Sequence, residues 1–164
     1  MKKLFIYMTM FLAAALFTVS CSNDDDDRSP EEIADLLTAG DWQGFHRDYL
    51  KDGGSWVIQN SQFIVIRFVR PGNRATNGTG TQLAFKSATL NEFEESSDFV
   101  WSIDGDVINI SYTAGWDAVH ANRKSDIQLD ANKFSGNWFP GNTDHRYEFD
   151  YDRKSFADWG KYGK

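Results

Sequence analysis

The sequence is short of the residues that usually build metal and catalytic sites. Its 164 residues include one cysteine and three histidines, and these histidines, His46, His120 and His145, stand far apart. It contains no cysteine pair, no HExxH and no His-x-His, which argues against a metal site. It also lacks G-x-S-x-G, and no serine stands near a histidine and an aspartate in a recognisable nucleophile motif. We therefore expect no enzymatic activity and no cofactor.

Positive charge and proline are also scarce. Seventeen Lys and Arg stand against twenty-four Asp and Glu, for a net charge of −7. This acidic balance argues against binding to nucleic acid or directly to anionic lipid head groups. With only three prolines but six Trp, six Tyr and thirteen Phe, the composition favours a β-rich domain over a disordered chain. A chain of this size can bury one sizeable core, so we expect one folded domain.

The apolar stretch at the N-terminus is too short to cross a membrane as a helix. Lys2 and Lys3 precede an uncharged run from Leu4 to Phe17, whereas a spanning helix needs about 20 apolar residues. A positive start followed by a short apolar core is typical of a secretory signal. Residues 1–20 are therefore predicted to be a signal peptide, and they end directly before the only cysteine, Cys21.

The stretch around Cys21 resembles the lipobox of bacterial lipoproteins, in which the cysteine receives a diacylglyceryl group and becomes the mature N-terminus. Lipid chains at this position would anchor the protein stably to a membrane. The alternative is a free or core thiol. In the lipoproteins that this stretch resembles, a serine directly after the cysteine, here Ser22, fits sorting to the outer membrane. The resemblance therefore implies an outer-membrane location. Residues 21–30 are predicted to be a solvated tether, because adjacent like charges repel one another.

The acidic run in this tether resembles the export signal by which Bacteroidetes-type bacteria send lipoproteins to the cell surface. The run consists of Asp24, Asp25, Asp26 and Asp27. The resemblance implies exposure at the cell surface, with the inner leaflet of the outer membrane as the alternative.

Residues 29–40 have the pattern of a short capped helix. Ser29 can cap it, Pro30 suits its first position, Glu32 stands three residues after the cap, and Gly40 ends it. From Asp41 onward, alternating or β-branched runs separated by turn residues predict about eight strands. These runs cover residues 41–50, 55–70, 81–90, 98–104, 107–113, 125–130, 132–139 and 144–152. Residues 71–80, 91–98 and 114–124 are predicted to be turns or loops, the first of them containing Asn77-Gly78.

Short strands joined by turns, without crossover helices, predict an all-β fold. We expect a single antiparallel up-and-down barrel over residues 31–154, because closure removes the open sheet edges. The first and last strands can pair in such a barrel, which would bring His46 near His145. Residues 155–164 form a C-terminal tail that packs on the outside or stays loose.

The segment Gly40-Asp41-Trp42, placed after a short helix, looks like the G-x-W of the lipocalin and calycin barrels. FVWSIDGDVINISYT and NKFSGNW also resemble the lipocalin-like domains of Bacteroidetes lipoproteins, so that the resemblance covers roughly residues 33–152, although the T-D-Y motif is absent. In that family an Arg or Lys near the last strand covers the tryptophan. The resemblance implies that Arg153 or Lys154 does so here, by a cation–π contact.

Three functions stay open. In the first, the barrel binds a small apolar or amphipathic ligand, and the ligand-contacting residues would come from Trp42, Trp56, Trp101 and Trp116. Trp116 lies in a loop and would either touch a ligand or partner or fold back as a lid on the core. In the second, the barrel is solid and serves as a non-catalytic accessory or protein-interaction module of an outer-membrane complex. In the third, paired carboxylates such as Glu148 and Asp150 act in a hydrolase, although a solvated strand face explains their alternation better.

Overall fold

A capped helix leads the chain into the fold. The computed structural model describes residues 27–113, 118–141 and 144–162. The first helix, α1, spans Pro30–Thr38 and begins as predicted. The Glu32 amide donates to the Ser29 hydroxyl while the Ser29 amide donates to the Glu32 carboxylate, which completes a reciprocal capping box. Ile33 and Leu37 are buried on its inner face, so α1 packs against one end of the core.

Nine strands follow α1 in a single antiparallel sheet, and a short second helix ends the described chain. The strands are β1 Asp41–Asp52, β2 Ser55–Val69, β3 Asn77–Phe85, β4 Phe93–Asp104, β5 Val107–Tyr112, β6 Val119–Asn122, β7 Ile127–Leu129, β8 Lys133–Pro140 and β9 His145–Arg153, and the second helix is α2 Trp159–Tyr162. Neither helix in the described part of the chain is long and apolar enough to cross a membrane.

The sheet closes on itself. Consecutive strands from β1 to β6 are neighbours, β1 also pairs with β9, β9 with β8, and β8 with β6. Eight strands thus form a closed antiparallel barrel, and the three-residue β7 adds to β8 next to β6. The predicted all-β barrel of about eight strands, with a short N-terminal helix, is confirmed. The predicted pairing of the first and last strands is also present, in register from Trp42 opposite Arg153 to Leu50 opposite His145.

Four of the predicted segments are wrong. The strand predicted over residues 81–90 ends at Phe85, and three stretches predicted as turn or loop belong to strands. Residues 77–80 begin β3 and pair with β4, so Asn77-Gly78 is not a turn. A Cβ at Gly78 would lie 1.9 Å from the Val69 carbonyl oxygen, and the glycine therefore serves a close backbone approach. Residues 93–98 belong to β4. They are mostly polar because this part of the strand is mostly exposed to solvent. Residues 119–122, predicted as loop, form β6.

Aromatic side chains fill the half of the barrel that lies next to α1. Phe134 stands at the centre of this packing, with ring-centroid distances of 5.6 Å to Trp42, 6.2 Å to Phe68 and 4.7 Å to Phe149. All four rings are almost completely buried. Edge-to-face pairs of this kind contribute about 0.5–1.5 kcal/mol each beyond the burial of their area. This half, called the packed half below, is densely filled and is continuous with the rest of the core.

The C-terminal segment packs on the outer face of the sheet. Phe156 is buried against Val65, Leu83 and Phe85, whose side chains lie on that face. The Tyr162 ring lies 5.3 Å from the ring of Phe85. The tail was predicted either to pack on the outside of the barrel or to stay loose. Its described residues pack on the outside, where they cover a patch of β2 and β3.

Candidate functional site

Trp42 is part of the packed half. Its ring is fully buried, and its Nε1 donates a 2.9 Å hydrogen bond to the Leu37 carbonyl of α1. The guanidinium of Arg153 lies 4.6 Å from the centroid of the Trp42 ring and donates to the Leu36 carbonyl at 2.7 Å. Of the two cations that were candidates for covering Trp42, Arg153 makes the contact. These bonds join α1, β1 and β9 at the end of the barrel.

Of the predicted ligand-contacting tryptophans, the three in the described part of the chain, Trp42, Trp56 and Trp101, do not form one site. Trp101 is buried beside Phe68, and its Nε1 donates to the carbonyls of Val69 and Thr79. Trp56 stands instead on the projecting β1–β2 hairpin.

Several predicted residues lie outside the described part of the chain. They are Trp116 and, in the N-terminal segment, Cys21, Ser22, Asp24, Asp25 and Asp26, while Asp27 is the first described residue.

A group of polar side chains lies inside the barrel, further from α1 than Trp42. Trp42 and His46 point to the same side of β1, and Tyr147 and Tyr151 point to that side from β9. The Nδ1 of His46 lies 3.0 Å from the Tyr151 hydroxyl, and its ring centroid lies 5.3 Å from that of Tyr147. Tyr112 on β5 donates a 2.8 Å hydrogen bond to the side-chain carbonyl of Gln82 on β3. We call His46, Gln82, Tyr112, Tyr147 and Tyr151 the polar cluster.

Burial makes the polar cluster electrically neutral at pH 7. It lowers the pKa of His46 to about 4, so the imidazole is uncharged. It raises the pKa of the Tyr112 and Tyr151 hydroxyls, so both stay protonated. The cluster therefore offers hydrogen-bond donors and acceptors, but no charge, to whatever it contacts.

The side-chain amide of Gln82 has incomplete hydrogen bonding. Its side chain is 2% exposed, and no described residue accepts a hydrogen bond from its Nε2. A buried donor without an acceptor costs about 1–3 kcal/mol, and such groups call for an explanation. An acceptor atom supplied by a bound molecule would remove this cost.

Two half-buried residues lie next to the polar cluster along the same strands. The Nδ1 of His145 lies 3.5 Å from the Asp48 carboxylate. The register of β1 and β9 places His46 and His145 on the same side of the sheet. His46, His145 and Asp48 nevertheless do not form a metal site. In residues 27–113, 118–141 and 144–162, no three His, Cys, Asp or Glu side chains are grouped to hold a metal ion.

The alternating carboxylates of β9 lie on the outside of the barrel and are paired with cations. Glu148 accepts a 2.7 Å hydrogen bond from Arg47. Asp150 and Asp152 form ion pairs with Lys133. This arrangement fits a solvated face of the sheet.

The β1–β2 hairpin projects beyond the rest of the barrel. All residues from Ser55 to Ser61 are exposed, and three of them are large and apolar: Trp56, Val57 and Ile58. The Arg146 guanidinium lies 4.6 Å from the Tyr49 ring and 5.0 Å from the Trp56 ring, and so it supports one face of the hairpin. The hairpin is the second candidate for function, as a contact surface.

A surface cleft of about 760 Å³ beside α1 carries three arginines. Each of them already has a structural contact. Arg67 forms a bidentate pair with Asp41, Arg70 pairs with Asp35, and Arg153 covers Trp42. The cleft is therefore explained by the attachment of α1 to the barrel.

No protein-family model matches the sequence, and a search of curated proteins found no match. The closed barrel, the polar cluster and the projecting hairpin are the features that bear on function.

Proposed function

We propose that this protein is a lipid-anchored lipoprotein of the outer membrane whose barrel binds a small, uncharged amphipathic molecule and does not transform it. The polar cluster, with the buried and incompletely bonded amide of Gln82, is the observation that carries the proposal. The likeness of residues 33–152 to lipocalin-like domains supports binding in a barrel. The lipobox-like stretch ending at Cys21 supports the anchor.

The chemistry of the polar cluster indicates the kind of ligand. Gln82 Nε2 needs an acceptor, and neutral His46 and the tyrosine hydroxyls can donate or accept. Because the side chains of the polar cluster carry no charge, a carboxylate or ammonium placed among them would lack a counter-ion in direct contact and would be penalised. The half-buried Asp48 and His145 lie beside the cluster and not within it. A hydroxyl, carbonyl or amide group meets no such penalty.

The packed half limits how far a ligand can enter. Trp42, Phe68 and Phe134 fill the barrel next to α1, so the polar group of the ligand would stop at the polar cluster. The apolar part would then lie toward the other end of the barrel. Trp138 pairs with Tyr147 across β8 and β9 and stacks on Phe149 at 5.1 Å, so its fluorescence would report binding near the cluster.

Matched pairs of amphiphiles test this proposal. The mature protein is titrated with long-chain alcohols or monoacylglycerols and with fatty acids of the same chain length, following tryptophan fluorescence and calorimetry. We expect the neutral series to bind more tightly than the acids at pH 7. Failure of every member of both series to bind would overturn the proposal.

A pair of glutamine variants tests the role of Gln82. Gln82→Leu should weaken binding about tenfold, since one hydrogen bond contributes about 1.4 kcal/mol at most in a neutral pair. Gln43→Leu is the matched control, because Gln43 is also buried but its Nε2 donates to the Lys154 carbonyl outside the cluster. Equal effects of the two variants would argue against a ligand contact at Gln82.

Metabolic labelling tests the anchor independently. A clickable fatty-acid analogue should label the wild-type chain and leave Cys21→Ala unlabelled. Digestion of intact cells with an added protease should remove the domain if it lies on the cell surface. Labelling of Cys21→Ala would refute the anchor without bearing on ligand binding.

The second candidate function is a solid barrel that serves as an accessory or protein-interaction module. The packed half and the exposed apolar residues of the hairpin favour it. Cross-linking in the solubilised outer membrane, followed by affinity capture, should then recover a partner with the wild type and less of it with Trp56→Ala. Recovery of nothing above background would count against this second candidate.

A further inference from the structure

The tip of the β1–β2 hairpin has a strand edge without a neighbour. β1 is bonded to β9 as far as Leu50, and the Lys51 amide donates to the Asp144 carbonyl at 2.9 Å. β2 pairs with β3 only from Phe63 to Val69. Within the described residues, no strand therefore pairs with the outer edge of residues 55–62. Apart from the Val57 carbonyl, which accepts a 3.4 Å hydrogen bond from the Gln59 side chain, and the Ser61 amide, which donates to Asn60 Oδ1, the main-chain groups of this edge are available to another strand.

This edge lacks most of the features by which proteins protect free strands. Natural edges carry charged residues or proline that discourage pairing. Residues 55–62, SWVIQNSQ, contain neither, although a quarter of the whole chain is charged. One protective feature, a β-bulge, is present. Gln59 is an extra residue of β2, because Ile58 and Asn60 on either side of it pair with the consecutive residues Tyr49 and Asp48 of β1. The continuous free edge is therefore the short stretch of residues 55–59.

We propose that residues 55–59 pair antiparallel with the same residues of a second copy, forming a two-fold symmetric dimer. Antiparallel pairing about Val57 places Val57 opposite its own counterpart. It also places Trp56 of each copy opposite Ile58 of the other, on one face of the joined hairpins. The three exposed apolar residues of the tip are thus self-complementary in this register. Aromatic and β-branched residues are favourable cross-strand partners.

The lack of charge in residues 55–59 makes this edge a place where two copies can meet. Each chain carries a net charge of −7, so two copies repel each other over most approaches. Residues 55–59 bring no charge into the contact. The turn at Gly53 and Gly54, with φ of 55° and 89°, holds the edge at the tip of the hairpin, clear of the barrel. An isologous contact of this kind closes after two copies and does not propagate.

Charge complementation at Val57 tests the register. Sedimentation analysis is carried out over a wide concentration range on the full mature chain with Cys21→Ser, so that lipid does not bring copies together. We expect a reversible monomer–dimer equilibrium for this chain. Val57→Lys and Val57→Glu should each weaken dimerisation at least about tenfold, because like charges then face each other. An equimolar mixture of the two variants should restore the dimer through an opposed Lys–Glu pair.

Val100→Lys is the matched control. Val100 is 51% exposed, close to the 43% of Val57, but it lies on β4 between β3 and β5, where both strand edges are paired. This variant should dimerise like the wild type. A wild type that stays monomeric at every concentration would overturn the proposal, as would Val57 variants that dimerise normally. Failure of the mixture to restore the dimer would overturn the pairing about Val57, and an equal loss with Val100→Lys would point to non-specific association.

Discussion

His46 should make the stability of the barrel depend on pH within a defined window. Its imidazole is buried between β1 and β9, where burial lowers its pKa from 6.5 to about 4. In the unfolded chain the same group takes up a proton near its ordinary pKa. Between these two values the unfolded state binds more protons than the folded state. The free energy of unfolding therefore falls as the pH falls from about 6.5 to about 4, and this contribution is constant below that.

The size of this effect follows from the two pKa values. Each unit of pKa difference corresponds to about 1.4 kcal/mol, so the full loss from His46 is about 3 kcal/mol. About 2 kcal/mol of it should already be lost at about pH 5. A typical domain has a stability of only about 5–15 kcal/mol. One buried histidine therefore accounts for a substantial part of the acid sensitivity of this protein.

Urea unfolding of the wild type and His46→Gln, at about pH 7.5 and about pH 5, measures this contribution. Glutamine can still form a hydrogen bond with the Tyr151 hydroxyl but does not titrate. The carboxylates titrate in both proteins, including Asp41. Burial acts to raise the pKa of Asp41, but hydrogen bonds from Arg67 and the Phe156 amide lower it overall. The difference between the two proteins therefore isolates His46.

The wild type should lose about 2 kcal/mol more than His46→Gln between the two pH values. His120→Gln is the control, since His120 is exposed on β6, and its pH dependence should follow that of the wild type. If His46→Gln shows the same loss as the wild type, the imidazole is not held neutral by burial. The conclusion that the polar cluster is uncharged at pH 7 would then be wrong.

Three further substitutions test the packing, each by urea unfolding. Arg153→Leu removes the cation over Trp42 and the hydrogen bond to α1, and should cost about 2–4 kcal/mol, with Arg153→Lys less affected. Phe156→Ala should cost about 3 kcal/mol and increase amide exchange in α2, because it removes the anchor of the C-terminal segment from the outer face. Gly136→Ala should cost at least about 2 kcal/mol, because φ is 144° and the new Cβ would lie 2.2 Å from the Asp126 carbonyl oxygen.

Features that depend on neighbours along the chain were predictable. The capping box of Ser29 and Glu32 needs only residues three positions apart. The Asp104-Gly105 hairpin needs only a turn between two alternating runs, and Gly105 has the positive φ of 57° that such a turn requires. The inward face of β9 follows from the strict alternation of Tyr147, Phe149 and Tyr151. These local rules, together with the need to remove sheet edges, were enough to predict the closed barrel.

Features that depend on contacts between strands were not predictable. Asn77-Gly78 has the pattern of a turn, but Gly78 is needed because the backbone of β2 comes close. The tryptophans look alike in sequence, yet strand register buries Trp42 and leaves Trp56 on a projecting hairpin. The polar cluster was missed because its members come from four strands that are distant in sequence. The only available sign was a polar residue at an inward position, such as Gln82 in a strand of otherwise small and apolar inward residues.

The two halves of the barrel interior differ in a way that stability alone does not explain. Next to α1, aromatic and aliphatic side chains pack together, and the guanidinium of Arg153 contacts the Trp42 ring and the Leu36 carbonyl. Further in, His46 lowers stability in mild acid and Gln82 holds a donor that no described residue satisfies. Apolar side chains of similar size would fill the same space without these penalties. Residues that reduce stability where a simpler core would serve are typical of binding sites. For this reason the polar cluster is a better candidate for ligand contact than the tryptophans that the sequence makes most conspicuous.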